Sequence, residues 1–334
     1  MNLTRVAESP FFVDFQKNLV RFGDRWWIHL NQWKWKASPL NAFHLHTLSL
    51  AILWSLQDTI HFMRLSRNLS YGMKPRIYVI LRGGLGNQLH QIAAGVKFAE
   101  GRGGNLAIFP HIVDTANNVE RRGFFREIDL TRLFPGTNIR ETNFIEGVLL
   151  RFFNLTNFKY ISLRLISELN FSAPPFGYVY FLRDWFQSFE FIPSQIDYEA
   201  LKNMEHSEDK HITLHVRLTD FLTNDSDPLG REYYTNAMLL LNQTLSQKYL
   251  RCFSDDIDNA LALIPHGYQY EFPEKHGALS ASQLLRQLSS SSVLICSKSS
   301  LCWWAANSVS ASGGVVVSPW HGFTHKDEWL RVSD

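Results

Sequence analysis

From residue 76 onward, short apolar runs alternate with amphipathic stretches. The runs at 77–81, 106–109, 178–181, 212–216, 249–253, 293–296 and 315–317 are strand-length and rich in branched and aromatic residues, and they predict buried strands. Apolar positions at helical spacing predict helices over 87–100, 231–241, 257–263, 280–288 and 300–307. Apolar strands that alternate with helices imply parallel sheets covered on both faces, an α/β fold. A charged stretch poor in apolar residues, 203–210, separates two such sets. It divides an N-terminal α/β domain, 75–208, from a C-terminal one, 209–334. No internal repeat or long low-complexity tract is visible.

Residues 1–74 follow a different pattern. They hold five of the ten tryptophans and carry nine Lys/Arg against four Asp/Glu. Tryptophan and lysine mixed on short helices suit a membrane interface, where rings sit among headgroups and ammonium groups meet anionic lipid. A helical extension packed on the catalytic body would show the same composition, and both readings stay open. The longest apolar run, 48–56, is interrupted by Ser49 and Ser55 and falls short of the ~20 residues a bilayer span needs. The first 25 residues contain Glu8, Asp14 and Asp24 and do not read as a signal peptide.

Composition narrows the classes further. A chain of 334 residues that is 45% hydrophobic can bury two sizeable cores. The net charge of +2 and the absence of a long basic run argue against a nucleic-acid partner. Cys252, Cys296 and Cys302 form no CxxC pair and are too few for an all-cysteine zinc site. Two of them fall in predicted strands, so buried free thiols and a reducing compartment are expected. Six Asn-x-Ser/Thr sequons are no evidence of secretion in a chain this rich in serine and threonine. These features predict a cytoplasmic protein, with 1–74 as its candidate peripheral membrane contact.

The most informative segment is YVILRGGLGNQLHQIAA, residues 78–94. A strand, a glycine turn and a helix start make an anion site, because glycine lets a phosphate approach the backbone and free N–H groups favour negative charge. Asn87 stands where an N-cap is expected, and Arg82 at the strand end adds a cation. A P-loop would need Gly-Lys-Ser/Thr where Asn87-Gln88 stands. A dinucleotide fingerprint starting at Gly84 meets Gly86 and then Leu89 instead of its third glycine. Glu100 comes too early, and Asp114 follows a Phe-Pro-His turn, so neither fits the ribose-binding acid of an oxidoreductase.

Five blocks together resemble the family 11 glycosyltransferases, the α-1,2-fucosyltransferases. GGLGNQ with its alanine-rich helix resembles that family's N-terminal signature. DWFQSFEFI (184–192) resembles GYxQSxxYF. HVRLTDF (215–221) resembles HVRRGDY and is followed by REYYTNAM (231–238), which matches the Tyr-Tyr helix. FSDDIDNA (253–260) resembles FSDDIxW, and SKSSLCWWAA (297–306) resembles ANSTFSWWGA. The blocks keep the family's order over about residues 76–320. The resemblance implies a GT-B-type architecture, two doubly wound Rossmann-like domains facing a cleft, here with a helical N-terminal extension. It implies inverting transfer of L-fucose from GDP-fucose to a glycan hydroxyl, without a metal or other cofactor. The partners implied are GDP-fucose and a glycan acceptor containing galactose.

The reaction needs a group that stabilises negative charge on the leaving diphosphate. Arg217, at the end of an apolar strand, is the first candidate, since a guanidinium fork matches phosphate oxygens. In the resembled family this arginine contacts the pyrophosphate. Its neighbour departs from the pattern, with Leu218 for a second arginine, as the protein O-fucosyltransferases also keep an apolar residue there. His215 shares a strand face with Arg217 and is read as a phosphate or Asp220 partner, or as a core histidine. Asp255 and Asp256, at a strand end, suit guanine or ribose hydroxyls, and one of them suits the cap of the next helix.

Ser299 and Ser300 open a helix and suit a phosphate, with Lys298 where the family has asparagine. Arg82, Gly84, Gly86 and Asn87 complete the donor-side candidates. Gln88, Gln187 and Ser188 are the acceptor or sugar candidates, with turn and cap bonding as their alternative. Trp303 and Trp304 read as core. For the general base, Asp220 lies inside the motif, and Asp225 lies eight residues after Arg217, where a related α-1,6-transferring family keeps a carboxylate. A degenerate protein of the same fold that holds a nucleotide or glycan without turnover is the alternative that Leu218, Lys298 and Cys302 keep open.

Overall fold

Two parallel sheets organise the chain in the computed structural model. It describes residues 76–100, 102, 104–109, 120–143, 163–167, 171, 179–182, 184–202, 212–218, 229–242, 249–319 and 326–332. The extension 1–74 and the charged stretch 203–210 lie outside the described residues.

The first sheet contains β1 (Arg76–Ile80), β2 (Asn105–Phe109), β3 (Ile139–Glu141), β4 (Leu163–Ile166) and β5 (Val179–Leu182), in the order β3-β2-β1-β5-β4. Helix α1 (Leu85–Glu100) follows β1, and the short α2 (Leu130–Leu133) precedes β3. The second sheet contains β6 (Ile212–Val216), β7 (Tyr249–Ser254), β8 (Gln269–Glu271), β9 (Val293–Ile295), β10 (Val315–Pro319) and β11 (Leu330–Val332), in the order β11-β10-β9-β6-β7-β8. Its helices are α3 (Arg231–Asn242), α4 (Ile257–Leu263), α5 (Ala281–Ser289) and α6 (Ser300–Ala311). Every recorded pairing is parallel.

Both sheets are doubly wound. In each, the chain enters at a central strand, winds to one edge, and then crosses to the other side. The reversal falls between β1 and β5 in the first sheet and between β6 and β9 in the second. In open α/β sheets a ligand sits beyond the strand ends at such a reversal, because the loops there diverge and leave a crevice. The α/β expectation of two Rossmann-like sheets holds.

One apolar core includes Ile77, Val79, Phe98, Phe134 and Phe186 from the first sheet's part of the chain. It continues into Leu285, Leu288, Trp303 and Trp304 of α5 and α6. The second core gathers Ile212, Leu214, Leu250, Val293 and Ile295 with Tyr233 and Tyr234 of α3. Strand β9 serves both, with Leu294 in the first core and its neighbours in the second, as alternating side chains dictate. Helix α1 is buried on nearly every side, between its own sheet and α6. That placement explains the lack of a polar stripe along it.

The helix expected from residue 87 begins at Leu85 instead. Gly83, at φ +75°, ends the strand path, and the Gln88 N–H reaches the Gly84 carbonyl at 3.0 Å in the first helical bond. Gly84 therefore occupies the cap, and Asn87 lies within the first turn rather than at the N-cap. Strands β3, β4, β8 and β11 and helix α2 are additions to the elements read from the sequence. All three cysteines are free and buried, and burial pushes the Cys252 thiol up to about 12.

Candidate active site

The carboxyl ends of β1 and β5 form the first half of the site. Arg82 is fixed at both its backbone and its head. Its N–H donates to Gln91 Oε1 at 2.9 Å, and its carbonyl accepts from Gln91 Nε2 at 3.2 Å. Its guanidinium meets Asp184 at 3.3 Å and lies over the Trp185 ring, 4.0 Å from the centroid. Asn87 Oδ1 accepts from Gln187 Nε2 at 2.7 Å, which joins the glycine-turn block to the second block. Gln88 is fully buried, and its amide donates to the Gly83 carbonyl at 3.0 Å. The bonding seen for Gln88 is thus a turn contact. The Ser188 carbonyl accepts the Phe191 N–H at 3.1 Å and opens a 3-10 turn.

The ends of β6, β7 and β9 form the second half. Arg217 Nη1 pairs with Asp255 Oδ2 at 3.0 Å, and the Leu218 N–H donates to Asp255 Oδ1 at 2.9 Å. Asp256 caps α4, accepting from the Asn259 N–H at 3.2 Å and from its side-chain amide at 2.6 Å. The two adjacent aspartates therefore divide their work, one holding the arginine and one holding the helix. Leu218 itself is buried in the second core. His215 is also buried, and its Nδ1 lies 2.8 Å from Ser297 Oγ. Nearby, Glu274 accepts the Ser254 N–H at 2.9 Å, and burial raises its carboxyl above the usual range.

The tyrosines of α3 tie these strand ends together from below. Tyr233 donates to the Cys296 carbonyl at 2.7 Å, and Tyr234 to the His215 carbonyl at 3.4 Å. The β6–β9 register ends with Leu214 beside Ile295. Arg217 thus follows the strand next to the one that leads into α6.

The two halves meet at Gly86. A Cβ on this residue would fall 2.5 Å from Ser300 C and 2.6 Å from Ser300 Oγ, and within contact of the Leu301 nitrogen. Trp304 Nε1 donates to the Gly86 carbonyl at 3.2 Å. Gly86 is thus the point of helix approach, whereas Gly84 has open space around it. The first turns of α1 and α6 come together here, each directly after a strand at a reversal point. Neither start is closed by the side chain of its own cap residue. Gly84 has none to offer, and the Ser299 hydroxyl makes no capping bond. By contrast α4 is capped by Asp256 and α5 by the Ser280–Gln283 capping box. Uncapped helix starts leave N–H groups available to an anion.

Asp220 and Asp225, the candidate bases, lie outside the described residues. Among the described residues, no group of three or more His, Cys, Asp or Glu is placed to hold a metal ion. No helix among them is long and apolar enough to cross a membrane. Trp303 and Trp304 are buried, as their core reading expects. Two site neighbours stand in a block quoted from the sequence but carry no role in its reading. Asp184 and Trp185 clamp Arg82, and the signal for them was an acid-aromatic pair directly after a predicted strand. His90 was also unassigned. It is buried against Trp303 and Trp304 at centroid distances of 4.8 and 5.4 Å, and burial lowers its pKa to about 3.

No protein-family model matches the sequence, and no curated protein matches it. The chain is similar to several solved structures. The fucosyltransferase NodZ from Bradyrhizobium is 16% identical, with 70% of this chain and 93% of that chain covered and a TM-score of 0.39. The dodecameric iron-containing heptosyltransferase TibC is 14% identical, with 78% of this chain and 62% of that chain covered and a TM-score of 0.40. The E. coli heptosyltransferase WaaC is 10% identical, with 77% of this chain and 92% of that chain covered and a TM-score of 0.37.

Proposed function

We propose that the chain is an inverting, metal-independent glycosyltransferase that moves L-fucose from GDP-fucose to a hydroxyl of a galactose-containing glycan, in α-1,2 linkage. The observation that carries this reading is the meeting of two uncapped helix starts at Gly86, with Arg217 one strand away. A diphosphate leaving group needs such a cluster of N–H donors and a fixed cation, because its charge grows as the glycosidic bond breaks. The resemblance of the five sequence blocks supports the donor and the linkage. In this reading 209–334 holds GDP-fucose, 75–208 holds the acceptor, and 1–74 is a peripheral membrane contact of a cytoplasmic enzyme.

Arg217 supplies bidentate contacts to the β-phosphate, with Asp255 orienting it. The N–H groups at Gly84, Asn87, Ser299 and Ser300 share that charge, and His215 holds Ser297 behind them. Asp256 supports the donor side through the helix it caps. Gln187 and Asn87, bonded to each other, face the sugar being transferred. Asp220 or Asp225 receives the acceptor proton, late in the reaction, when a weak base is sufficient.

Leu218 favours a second reading, because a buried leucine stands where the resembled family has a second arginine. That reading is a nucleotide or glycan binder without turnover. One experiment separates the two: GDP release from GDP-fucose, with and without a panel of galactosides, for the wild type and Arg217→Ala. Acceptor-dependent release that the variant loses supports the transferase. Tight GDP binding with no release for any galactoside supports the binder, and absence of GDP binding overturns the transferase and leaves the second reading only as a glycan binder.

A further inference from the structure

We infer that Trp185 is the platform on which the acceptor sugar stacks, an inference that rests on the transferase reading. Among the described residues four tryptophans are placed, and Trp303, Trp304 and Trp329 are each at most 6% exposed. Trp185 is 37% exposed, at the carboxyl end of β5 and beside the reversal point of the first sheet. An indole this open leaves apolar area in water beside the candidate site, and covering it would be favourable.

The ring is exposed but held. The Arg82 guanidinium covers one face at 4.0 Å from the centroid. Asp184 Oδ1 accepts the Trp185 backbone N–H at 2.9 Å and meets Arg82 Nη2 at 3.3 Å, so one carboxylate fixes both stacked residues. The ring edge lies where a side chain on Gly83 would be, with Trp185 Cζ3 2.9 Å from that Cβ position. The next residue, Phe186, has φ 53°, a left-handed backbone that costs a bulky residue free energy. That conformation sends Phe186 into the core against Phe191, at 5.4 Å between centroids, and leaves Trp185 outside.

A hexose matches this surface. One face of a sugar ring presents C–H groups that stack on an aromatic face, while hydroxyls at its rim need amide partners. The Gln187–Asn87 amide pair stands two residues along from the ring. The ligand class is therefore a glycan whose terminal sugar has an apolar C–H face, galactose being one such sugar.

The test is glycan binding by the full chain in the presence of GDP, first on a glycan array and then by calorimetry with the best-bound galactoside. Trp185→Ala is expected to weaken glycan binding about tenfold or more, and Trp185→Phe to retain most of it, while both keep a urea unfolding midpoint close to that of wild type. A retained midpoint shows that the variants are folded. Equal glycan affinity in wild type and Trp185→Ala overturns the platform, and so does a wild type that binds GDP but no arrayed glycan. Glycan binding that depends on Trp185 without any GDP binding upholds the platform and overturns the transferase.

Discussion

Arg217 and Asp255 form a fixed pair, with Nη1 and Oδ2 at 3.0 Å, and the second carboxylate oxygen accepts the Leu218 N–H at 2.9 Å. The aspartate thus joins the end of β7 to the end of β6 and sets the direction of the guanidinium. An arginine oriented in this way loses less side-chain entropy when a phosphate arrives.

The pair predicts a graded series. Hydrogen bonds to charged groups are worth about 1.5–3 kcal/mol, so Arg217→Ala is expected to weaken GDP binding by about tenfold to a hundredfold. Arg217→Lys keeps the charge but loses the fork, and falls between. Asp255→Asn retains an oxygen for the Leu218 N–H and loses the ion pair, so its affinity loss is smaller than that of Arg217→Ala. Calorimetry with GDP checks the order, and a lysine variant equal to wild type would remove the bidentate role.

Gly84 and Gly86 stand two residues apart in one turn and predict opposite outcomes. A Cβ on Gly86 meets the backbone of Ser300 at 2.5 Å, and backbone cannot swing aside as a side-chain end can. Gly86→Ala is expected to lose about 1–3 kcal/mol of stability, the usual cost of overpacking. Gly84 has nothing within 4 Å of its Cβ position and does not have a positive φ. Gly84→Ala should leave stability within about 0.5 kcal/mol. Urea unfolding of the two variants compares them directly. Equal losses would mean that the α1–α6 approach at Gly86 is not tight.

The strands that the hydrophobic pattern revealed are the inner ones, and all four it left out are sheet edges. β3 and β4 bound the first sheet, and β8 and β11 bound the second. An edge strand has one partner and more solvent, so it needs no continuous apolar run. β3 reads IRE and β8 reads QYE, both short and charged. The candidate site was legible in blocks because its residues cluster at strand ends. The work of each residue was not. Nothing local separates Asp255 from Asp256, since the partner of the first lies 38 residues away at Arg217 and that of the second three residues on. The two-residue error at the start of α1 has the same origin. Asn87 is a good cap by type, but its side chain is bonded to Gln187, far along the chain.

Tyr233 predicts a structural effect with a functional echo. Its hydroxyl is buried and donates to the Cys296 carbonyl at 2.7 Å, just before the residues that open α6. Tyr233→Phe removes the donor and leaves that carbonyl short of a partner, at an expected cost of about 1–2 kcal/mol. The Tyr234 bond to the His215 carbonyl is longer, 3.4 Å, and Tyr234→Phe should cost less. Denaturation midpoints of the two variants test this ranking, which a larger loss for Tyr234→Phe would reverse.

His90 predicts how stability follows pH. It is buried at the α1–α6 contact between Trp303 and Trp304, and burial lowers its pKa from 6.5 to about 3. The unfolded chain takes a proton on this residue near 6.5, while the folded chain resists it down to about 3. Between those values the unfolded state binds more protons, so stability rises with pH there. The contribution is complete above the unfolded pKa and is lost as pH falls through the window, at a limit of about 1.4 kcal/mol per pH unit. From pH 8 to pH 5 this amounts to about 2 kcal/mol. His90→Phe keeps a ring against the tryptophans and removes the titration. Its absolute stability depends on how the ring packs, so the readout is the slope. Urea unfolding at pH 8, 6.5 and 5 should show the wild type losing about 2 kcal/mol more across the range than the variant. Parallel slopes would mean that His90 accepts its proton in the folded chain, which a site enclosed by Trp303 and Trp304 would have to open to allow.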